Sequence, residues 1–213
     1  MIYFTRHGES EANIQKVFAN NCFNYFLTKK GIEQAAALSE KLKDKNITSM
    51  YVSPVLRAIQ TAGIISQALK LKKYEVNELL REYDVGELEG KSDSESWGKY
   101  FKCEKLWEVS ANRNQKMENG ESFIDIQVRF KQFIQSIKDT AVHENVLVVS
   151  HGGLLKIGLP GVVSNLDYCF TNDNPLGNCE LVSCKCEHEQ ITCIRYGTID
   201  YPGYEIPEYI QTR

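Results

Sequence analysis

The stretch that decides the fold is Val-Leu-Val-Val-Ser-His-Gly-Gly, residues 146–153. Its first four residues are all apolar, which is the composition of a strand buried on both faces, as in parallel sheets. The run then stops at a serine, a histidine and two glycines. We therefore predict a central strand over residues 146–149, with functional groups at its carboxyl end, where open α/β sheets bind their ligands.

Two other predicted strands end in a similar way. The apolar run over residues 2–5 leads directly into Arg6 and His7, and a second run over residues 47–52 leads into Ser53-Pro54. Proline is favoured in the first turn of a helix, so Arg57 is predicted to lie near a helix start. Because the carboxyl ends of parallel strands meet at one edge of a sheet, we expect Arg6, His7 and Arg57 to lie close to His151.

Helical patterns alternate with these strands. The spacing of apolar residues predicts helices over residues 28–42, 54–69 and 125–142, and a hairpin over residues 180–186 and 190–196. This order indicates an α/β fold, a three-layer αβα sandwich around a mostly parallel sheet. The polar, weakly periodic segment 91–120 is predicted to be a small cap insertion within a single domain spanning residues 1–213.

Composition excludes several kinds of partner. Of the 213 residues 42% are apolar, enough for a core, yet no stretch approaches the roughly 20 apolar residues of a membrane span. The net charge of −3 argues against nucleic acid as the main partner. No signal peptide is visible, and an odd number of cysteines, seven, is typical of reduced thiols in the cytoplasm. We therefore expect a cytoplasmic protein that binds neither membrane nor nucleic acid.

A group of cysteines near the C-terminal end raises the question of a zinc site. Cys184 and Cys186 alternate as strand residues do, and the group contains no paired C-x-x-C motif. Cysteine also packs well as a small buried apolar residue. We therefore predict packing and no metal for Cys179, Cys184, Cys186 and Cys193, and surface positions for His143 and His188.

The converging residues favour an anionic ligand. Arginine offers a planar fork that matches phosphate, and the start of a helix favours negative charge. Glycines beside each histidine would let the backbone approach a ligand closely. The sequence therefore predicts a phosphate-binding pocket at the strand ends.

Further motifs follow the same order along the chain as those of a known family. The chain resembles the histidine phosphatase superfamily, in its phosphoglycerate mutase-like branch, over residues 1 to about 160. The residues that carry the resemblance are Arg6-His7-Gly8-Glu9-Ser10 with Asn13, Leu27-Thr28-x-x-Gly31, Ser53-Pro54-x-x-Arg57-Ala58, Leu80-x-Glu82-x-x-x-Gly86, Gly120-Glu121-Ser122 and Ser150-His151-Gly152-Gly153.

The resemblance implies a mechanism that needs no metal and no cofactor. His7 would attack phosphorus to form a phosphohistidine, and Glu82 would protonate the leaving oxygen and then activate water. The implied catalytic residues are His7, Glu82, His151, Arg6 and Arg57, and the implied substrate-binding residues are Arg6, Asn13, Arg57, His151 and Gly152. A solvated acidic loop remains the alternative for Glu82, because Glu78, Asp84, Glu87 and Glu89 are its neighbours.

Both phosphatases and mutases belong to this family, and the sequence favours a phosphatase acting on a phosphomonoester. The mutases it resembles typically read Glu-Arg-His-Tyr-Gly at the acid, followed by a lysine, where this chain has Glu82-Tyr83-Asp84-Val85-Gly86 and Asp93. They also carry a Thr-Gly pair where this chain has Ala19-Asn20. Phosphoglycerate mutase is the alternative, and a non-catalytic module that binds a phosphorylated ligand is a remote one. A small phosphorylated metabolite is the expected substrate, a phosphoprotein is the alternative, and no oligomeric state is assigned.

Overall fold

A computed structural model describes residues 1–20, 25–187 and 190–200, and these form a sandwich around one mixed sheet. Its strands are β1 (Ile2–Arg6), β2 (Ser49–Val52), β3 (Glu75–Val76), β4 (Val146–Ser150), β5 (Leu181–Glu187), β6 (Gln190–Tyr196) and β7 (Ile199–Asp200). They lie side by side in the order β3-β2-β4-β1-β5-β6-β7.

The sheet has a parallel half and an antiparallel half. Strands β3, β2, β4 and β1 pair in parallel, and β4 lies between β1 and β2 as the sequence predicts. The remaining pairs, β1 with β5, β5 with β6 and β6 with β7, are antiparallel. Strands β5, β6 and β7 follow one another after two residues, a connection too short for parallel neighbours. The α/β class is confirmed, with parallel pairing restricted to the half that carries the predicted site residues.

Helices cover both faces of the sheet. They are α1 (Glu11–Gln15), α2 (Lys29–Leu42), α3 (Leu56–Leu69), α4 (Ser94–Trp107), α5 (Phe123–Ser136), α6 (Lys138–His143), α7 (Gly152–Gly158) and α8 (Tyr168–Asp173). Alternate residues of β4 pack into two separate cores: Leu147 and Val149 contact the core of α2 and α3, and Val146 and Val148 contact the core of α5 and α7. The three-layer prediction is confirmed by this division.

The predicted helix over residues 125–142 is two helices. Ser122 caps α5, since its side chain accepts a hydrogen bond from the Asp125 backbone while the Asp125 carboxylate accepts one from the Ser122 backbone. The helix therefore starts at Phe123, and it ends at Ile137, where the backbone leaves the helical conformation before α6 begins.

The predicted cap segment contains a helix that the weak apolar periodicity did not reveal. Helix α4 begins after Asp93, whose carboxylate accepts a hydrogen bond from the Ser96 backbone at 2.9 Å. Cys103 and Trp107 bury the inner side of this helix. Asp93, which stands where the mutases have a lysine, caps α4 and is not among the residues that line the cavity described below. The single-domain prediction for residues 1–213 stays a prediction.

The cysteines within the described ranges fit the packing prediction in part. Cys184 and Cys193 oppose each other on β5 and β6 and are fully buried, whereas Cys179 and Cys186 are half-buried. Cys22 and His188 lie outside the described residues, and His143 is exposed at the end of α6. Across residues 1–20, 25–187 and 190–200, no helix is both long and apolar enough to cross a bilayer.

Candidate active site

The backbone of His7 is fixed where β1 ends. Its N–H donates to the Ser150 carbonyl at the end of β4, at 3.0 Å, and its own carbonyl accepts from the Asn178 side chain at 2.9 Å. A Cβ atom on Gly8 would lie 2.5 Å from the Gly31 carbonyl oxygen of α2. This close approach to α2 sets the direction of the chain after His7. The predicted approach of Gly8 to a ligand stays a prediction.

The imidazole of His7 is held in one tautomer. Its Nδ1 lies 2.7 Å from the Gly8 carbonyl, an acceptor, so Nδ1 carries the proton and donates it. Its Nε2 accepts a hydrogen bond from the Arg57 Nε at 2.9 Å. Burial holds the pKa of His7 well below its usual value, and the charges of Arg57 and Arg6 lower it further. A neutral ring with its lone pair on Nε2 is the form that can act as a nucleophile.

Arg57 connects the elements of the site from the first turn of α3. Besides His7, its guanidinium donates to the Ala19 carbonyl at 2.8 Å and to the His151 Nδ1 at 3.2 Å. The side chain is buried. The predicted meeting of this arginine with both histidines is therefore found in the structure.

His151 lies behind Arg57 and does not line the cavity. It is fully buried, and the centre of its ring lies 5.1 Å from that of His7. Because Arg57 donates to Nδ1, the proton of the neutral ring is on Nε2, which donates to the Ser53 Oγ at 2.6 Å. Burial is the largest cause that lowers the pKa of His151, and Arg57 is the second. His151 therefore supports Arg57 here, and its direct role in phosphate binding stays a prediction.

Arg6 provides the second cation of the site from the last position of β1. One terminal nitrogen donates to the Leu176 carbonyl at 2.9 Å, but its Nε is buried and has no hydrogen-bond partner in the described part of the chain. A buried donor without a partner destabilises a protein by about 1–3 kcal/mol. Burial lowers the pKa of Arg6, and the nearby Glu82 opposes this shift. An anion beside this nitrogen would supply the missing partner.

Glu82 is held against the first turn of α7. One carboxylate oxygen accepts from the Gly153 N–H at 2.9 Å, and the other accepts from the N–H groups of Leu154 at 2.7 Å and Tyr83 at 3.0 Å. Gly153 is required there, because a Cβ atom would lie 2.4 Å from the Tyr83 ring. Among the acidic residues of this loop, only Glu82 lines the cavity in the described structure, which separates it from Glu78, Asp84, Glu87 and Glu89.

These side chains surround a cavity of about 230 Å³. Asn13 lines it, and because its Oδ1 accepts from the Ser10 backbone at 3.0 Å, its amide NH₂ is the group available to a ligand. Phe18, Trp97 and Tyr100 form an aromatic wall on the side of the cap. The other lining residues are Arg6, His7, Ala12, Val17, Ala19, Asn20, Arg57, Glu82, Tyr83, Gly152, Gly153, Lys156, Pro175 and Leu176.

Comparison with known proteins identifies the family. The sequence profile of the histidine phosphatase superfamily, branch 1, matches residues 2–199. The chain belongs to the histidine phosphatase superfamily. Phosphoglycerate mutase-like protein 4 of Arabidopsis thaliana is 31% identical over 160 residues, covering 73% of this chain and 67% of the relative. Fructose-2,6-bisphosphatase TIGAR B of Danio rerio is 27% identical over 201 residues, and the match covers 78% of this chain and 75% of the relative.

The fold of this histidine phosphatase is also found in solved structures. Bacillus stearothermophilus YhfR superimposes with a TM-score of 0.80 at 26% identity, and the match covers 93% of this chain and 97% of that one. The recognition made from the motifs is confirmed, and both phosphatases and mutase-like proteins occur among the relatives.

Several residues of the site had no role in the sequence analysis. Ser53, which accepts a hydrogen bond from His151, was named only as part of a motif. Its place directly after the second predicted strand, before Pro54, could have indicated that it lies at the site. Asn178, which holds the His7 carbonyl, lies more than 170 residues away in a segment without a motif. Lys156 lines the cavity one helical turn after Gly152, a spacing that could have placed it on the same side of α7.

Proposed function

We propose that this histidine phosphatase superfamily member hydrolyses phosphomonoesters through a phosphohistidine formed on the Nε2 of His7. The observation that carries the proposal is the pair of hydrogen bonds on the His7 ring, which leaves its lone pair on Nε2 beside two arginines. Arginines and oriented donors stabilise the charge of a phosphoryl group in transfer, which depends mainly on positioning and electrostatics.

In the first step the Nε2 lone pair of His7 forms a bond to phosphorus, and the bond from phosphorus to the leaving oxygen breaks. The leaving oxygen takes a proton from Glu82. In the second step water attacks the phosphohistidine, Glu82 accepts a proton from that water, and inorganic phosphate is released with Nε2 restored.

Phosphate binding must also break the hydrogen bond from Arg57 to His7. The Arg57 Nε donates to the lone pair that is to attack, so it has to exchange His7 for a phosphate oxygen. The donors assigned to the phosphate are Arg6, Arg57, the amide of Asn13 and the backbone of Gly152, all of which line the cavity. In this proposal His151 binds a phosphoryl oxygen only after Arg57 has moved.

We assign the part of the cavity lined by Lys156, Trp97 and Tyr100 to the leaving group, and call it the leaving-group end. A phosphatase fits this end better than a mutase does. A phosphoglycerate mutase must hold a second negative group there. Lys156 is the cation at that end in the described structure, and Glu104 neutralises it at 2.6 Å. The mutase-like relative keeps phosphoglycerate mutase as the second candidate.

We propose a small phosphorylated metabolite as the substrate, handled in the cytoplasm. The cavity of about 230 Å³ has Trp97 and Tyr100 of the cap helix in its wall, an arrangement suited to a compact molecule. A phosphoprotein remains the alternative, and the cytoplasmic assignment rests on the cysteine content of the sequence.

Trapping the intermediate tests the proposal. A substrate carrying ³²P is mixed with the protein and quenched in alkali, where phosphohistidine survives. We expect the ³²P label on a peptide containing His7, and we expect phosphate release to continue in the presence of chelators. The His7→Gln variant should show no labelled peptide and no phosphate release. His143→Gln, at an exposed histidine, is the matched control. Interconversion of 3- and 2-phosphoglycerate is measured alongside, and isomerisation faster than phosphate release would favour the mutase.

A further inference from the structure

A buried polar cluster joins the cap to the leaving-group end of the cavity. The Lys156 ammonium of α7 donates to the Glu104 Oε1 of α4 at 2.6 Å. The Tyr100 hydroxyl donates to the same oxygen at 2.8 Å and accepts from the Tyr83 hydroxyl at 2.6 Å. The side chains of Lys156 and Glu104 are only 14% and 13% exposed, so solvent screens this ion pair weakly.

The cluster is uncharged as a whole. Lys156 and Glu104 carry one charge each, and burial together with Glu104 keeps the pKa values of Tyr83 and Tyr100 well above their usual value, so both hydroxyls stay protonated. The phosphate end differs, because Arg6 and Arg57 face it with Glu82 as the opposing carboxylate. A leaving group therefore meets an ion pair whose charges sum to zero, and Lys156 is the member of the pair that lines the cavity.

Lys156 nevertheless has hydrogen bonds to offer. An ammonium has three N–H donors. One of them binds Glu104, and the described residues supply no other acceptor to it. Both tyrosine hydroxyls already donate within the cluster. An oxygen atom on a bound molecule is thus the partner that the remaining donors of Lys156 fit, while Phe18 and Trp97 offer apolar surface to its carbon atoms.

We propose that Lys156 is a specificity-determining residue of the phosphatase, and that it selects a small phosphomonoester whose leaving alcohol is uncharged and carries a further hydroxyl group. This inference rests on the proposed function. A carboxylate on the leaving group would lie near Glu104 and near the phosphate, and an ammonium would lie near Lys156 and the two arginines. A hydroxyl oxygen accepts from Lys156 and meets neither repulsion.

Three phosphomonoesters with three-carbon leaving groups test the inference at nearly constant size. They are glycerol 3-phosphate, 3-phosphoglycerate and O-phosphoserine, whose leaving groups are neutral, anionic and zwitterionic. Phosphate release is measured for each, with p-nitrophenyl phosphate as an ester that lacks a further hydroxyl. We expect kcat/KM for glycerol 3-phosphate to exceed that for 3-phosphoglycerate about tenfold or more, since juxtaposed like charges are strongly unfavourable.

Two substitutions should change this preference in different ways. Lys156→Met removes the donors and keeps the stem, so the ratio of kcat/KM for glycerol 3-phosphate to that for p-nitrophenyl phosphate should fall about tenfold. Lys156→Arg keeps donors and charge and should keep most of the ratio. Glu104→Gln leaves Lys156 without its countercharge, so the ratio for 3-phosphoglycerate to glycerol 3-phosphate should rise about tenfold.

Lys105→Met, at an exposed lysine beside Glu104 on α4, is the matched control and should change neither ratio. A purely structural ion pair would lower all four activities by the same factor, and that result in Lys156→Met and Glu104→Gln would overturn the inference while the phosphatase proposal stands. A wild-type preference for 3-phosphoglycerate or phosphoserine would overturn it as well. No phosphate release from any of the four esters would overturn the phosphatase proposal and the inference together.

Discussion

The Nε of Arg57 lies 2.9 Å from the Nε2 of His7, so the guanidinium covers the ring nitrogen that carries the lone pair. The same guanidinium lowers the pKa of His7 and so keeps the lone pair unprotonated. In the proposed mechanism, Arg57 therefore keeps the attacking nitrogen unprotonated and covers it until the guanidinium donates to a phosphate oxygen instead.

The Arg57→Lys variant should show whether the site needs only the positive charge of Arg57 or also the planar shape of its guanidinium. Lysine keeps the positive charge but lacks the planar fork that reaches His7, Ala19 and His151 together. We expect kcat/KM for p-nitrophenyl phosphate to fall by about 10² to 10³, the usual effect of losing an oriented donor. The exposed Arg195→Lys is the control. Retention of wild-type activity in Arg57→Lys would show that charge alone suffices.

Ser53→Ala should reveal how His151 is supported. Without the Ser53 hydroxyl, the Nε2–H of His151 becomes a buried donor without an acceptor, which should lower the free energy of unfolding by about 1–3 kcal/mol. Ser39→Ala removes a buried hydroxyl whose hydrogen bond to Ala35 leaves no orphaned donor, and its effect should be smaller. Urea unfolding measures both, and equal losses would contradict the assigned tautomer.

Glu82→Gln should discriminate between leaving groups. If Glu82 supplies the proton, the variant loses far more activity on alkyl phosphates than on p-nitrophenyl phosphate, by a sizeable part of the 10² to 10⁴ that general acid catalysis is typically worth. Glu78→Gln and Glu89→Gln should show no such difference. An equal loss on both kinds of ester would make Glu82 a structural residue, consistent with its three backbone hydrogen bonds alone.

The stability of the fold should fall on mild acidification. Burial holds the pKa values of His7 and His151 well below those of unfolded histidines, near 6.5. Below that pH the unfolded chain binds protons that the folded chain does not, so the free energy of unfolding should drop by up to about 3 kcal/mol per pH unit for the two groups. Unfolding is followed between pH 7.5 and 5.5 without phosphate. His143→Gln should keep the slope, and a flat profile would show that the rings are not buried as neutral groups.

The strand ends were predictable because local signals agreed there. Apolar runs followed at once by polar residues gave β1, β2 and β4, and parallel pairing brought Arg6, His7 and Arg57 together. Helix α4 was missed because much of its surface faces solvent and only Ser96, Cys103 and Trp107 are buried along it. The partners Glu104 and Lys156 were missed because 52 residues separate them, and no local pattern encodes such a contact.

The position of His151 behind Arg57 also could not be predicted from the sequence. The motif gave its place after β4, but its direction depends on the Ser53 hydroxyl and on the guanidinium between the two histidines. Such arrangements are set by tertiary packing and not by spacing along the chain.

The contacts that fix His7 come from Gly8, Arg57, Ser150 and Asn178 in the described chain, and none of these residues lies in the segment 91–120. The cap wall is formed instead by residues such as Trp97 and Tyr100. Substitutions in α4 can therefore change which esters fit the cavity over evolutionary time without removing a contact that fixes His7. Grafting the segment from a relative should exchange selectivity and leave the nucleophile in place.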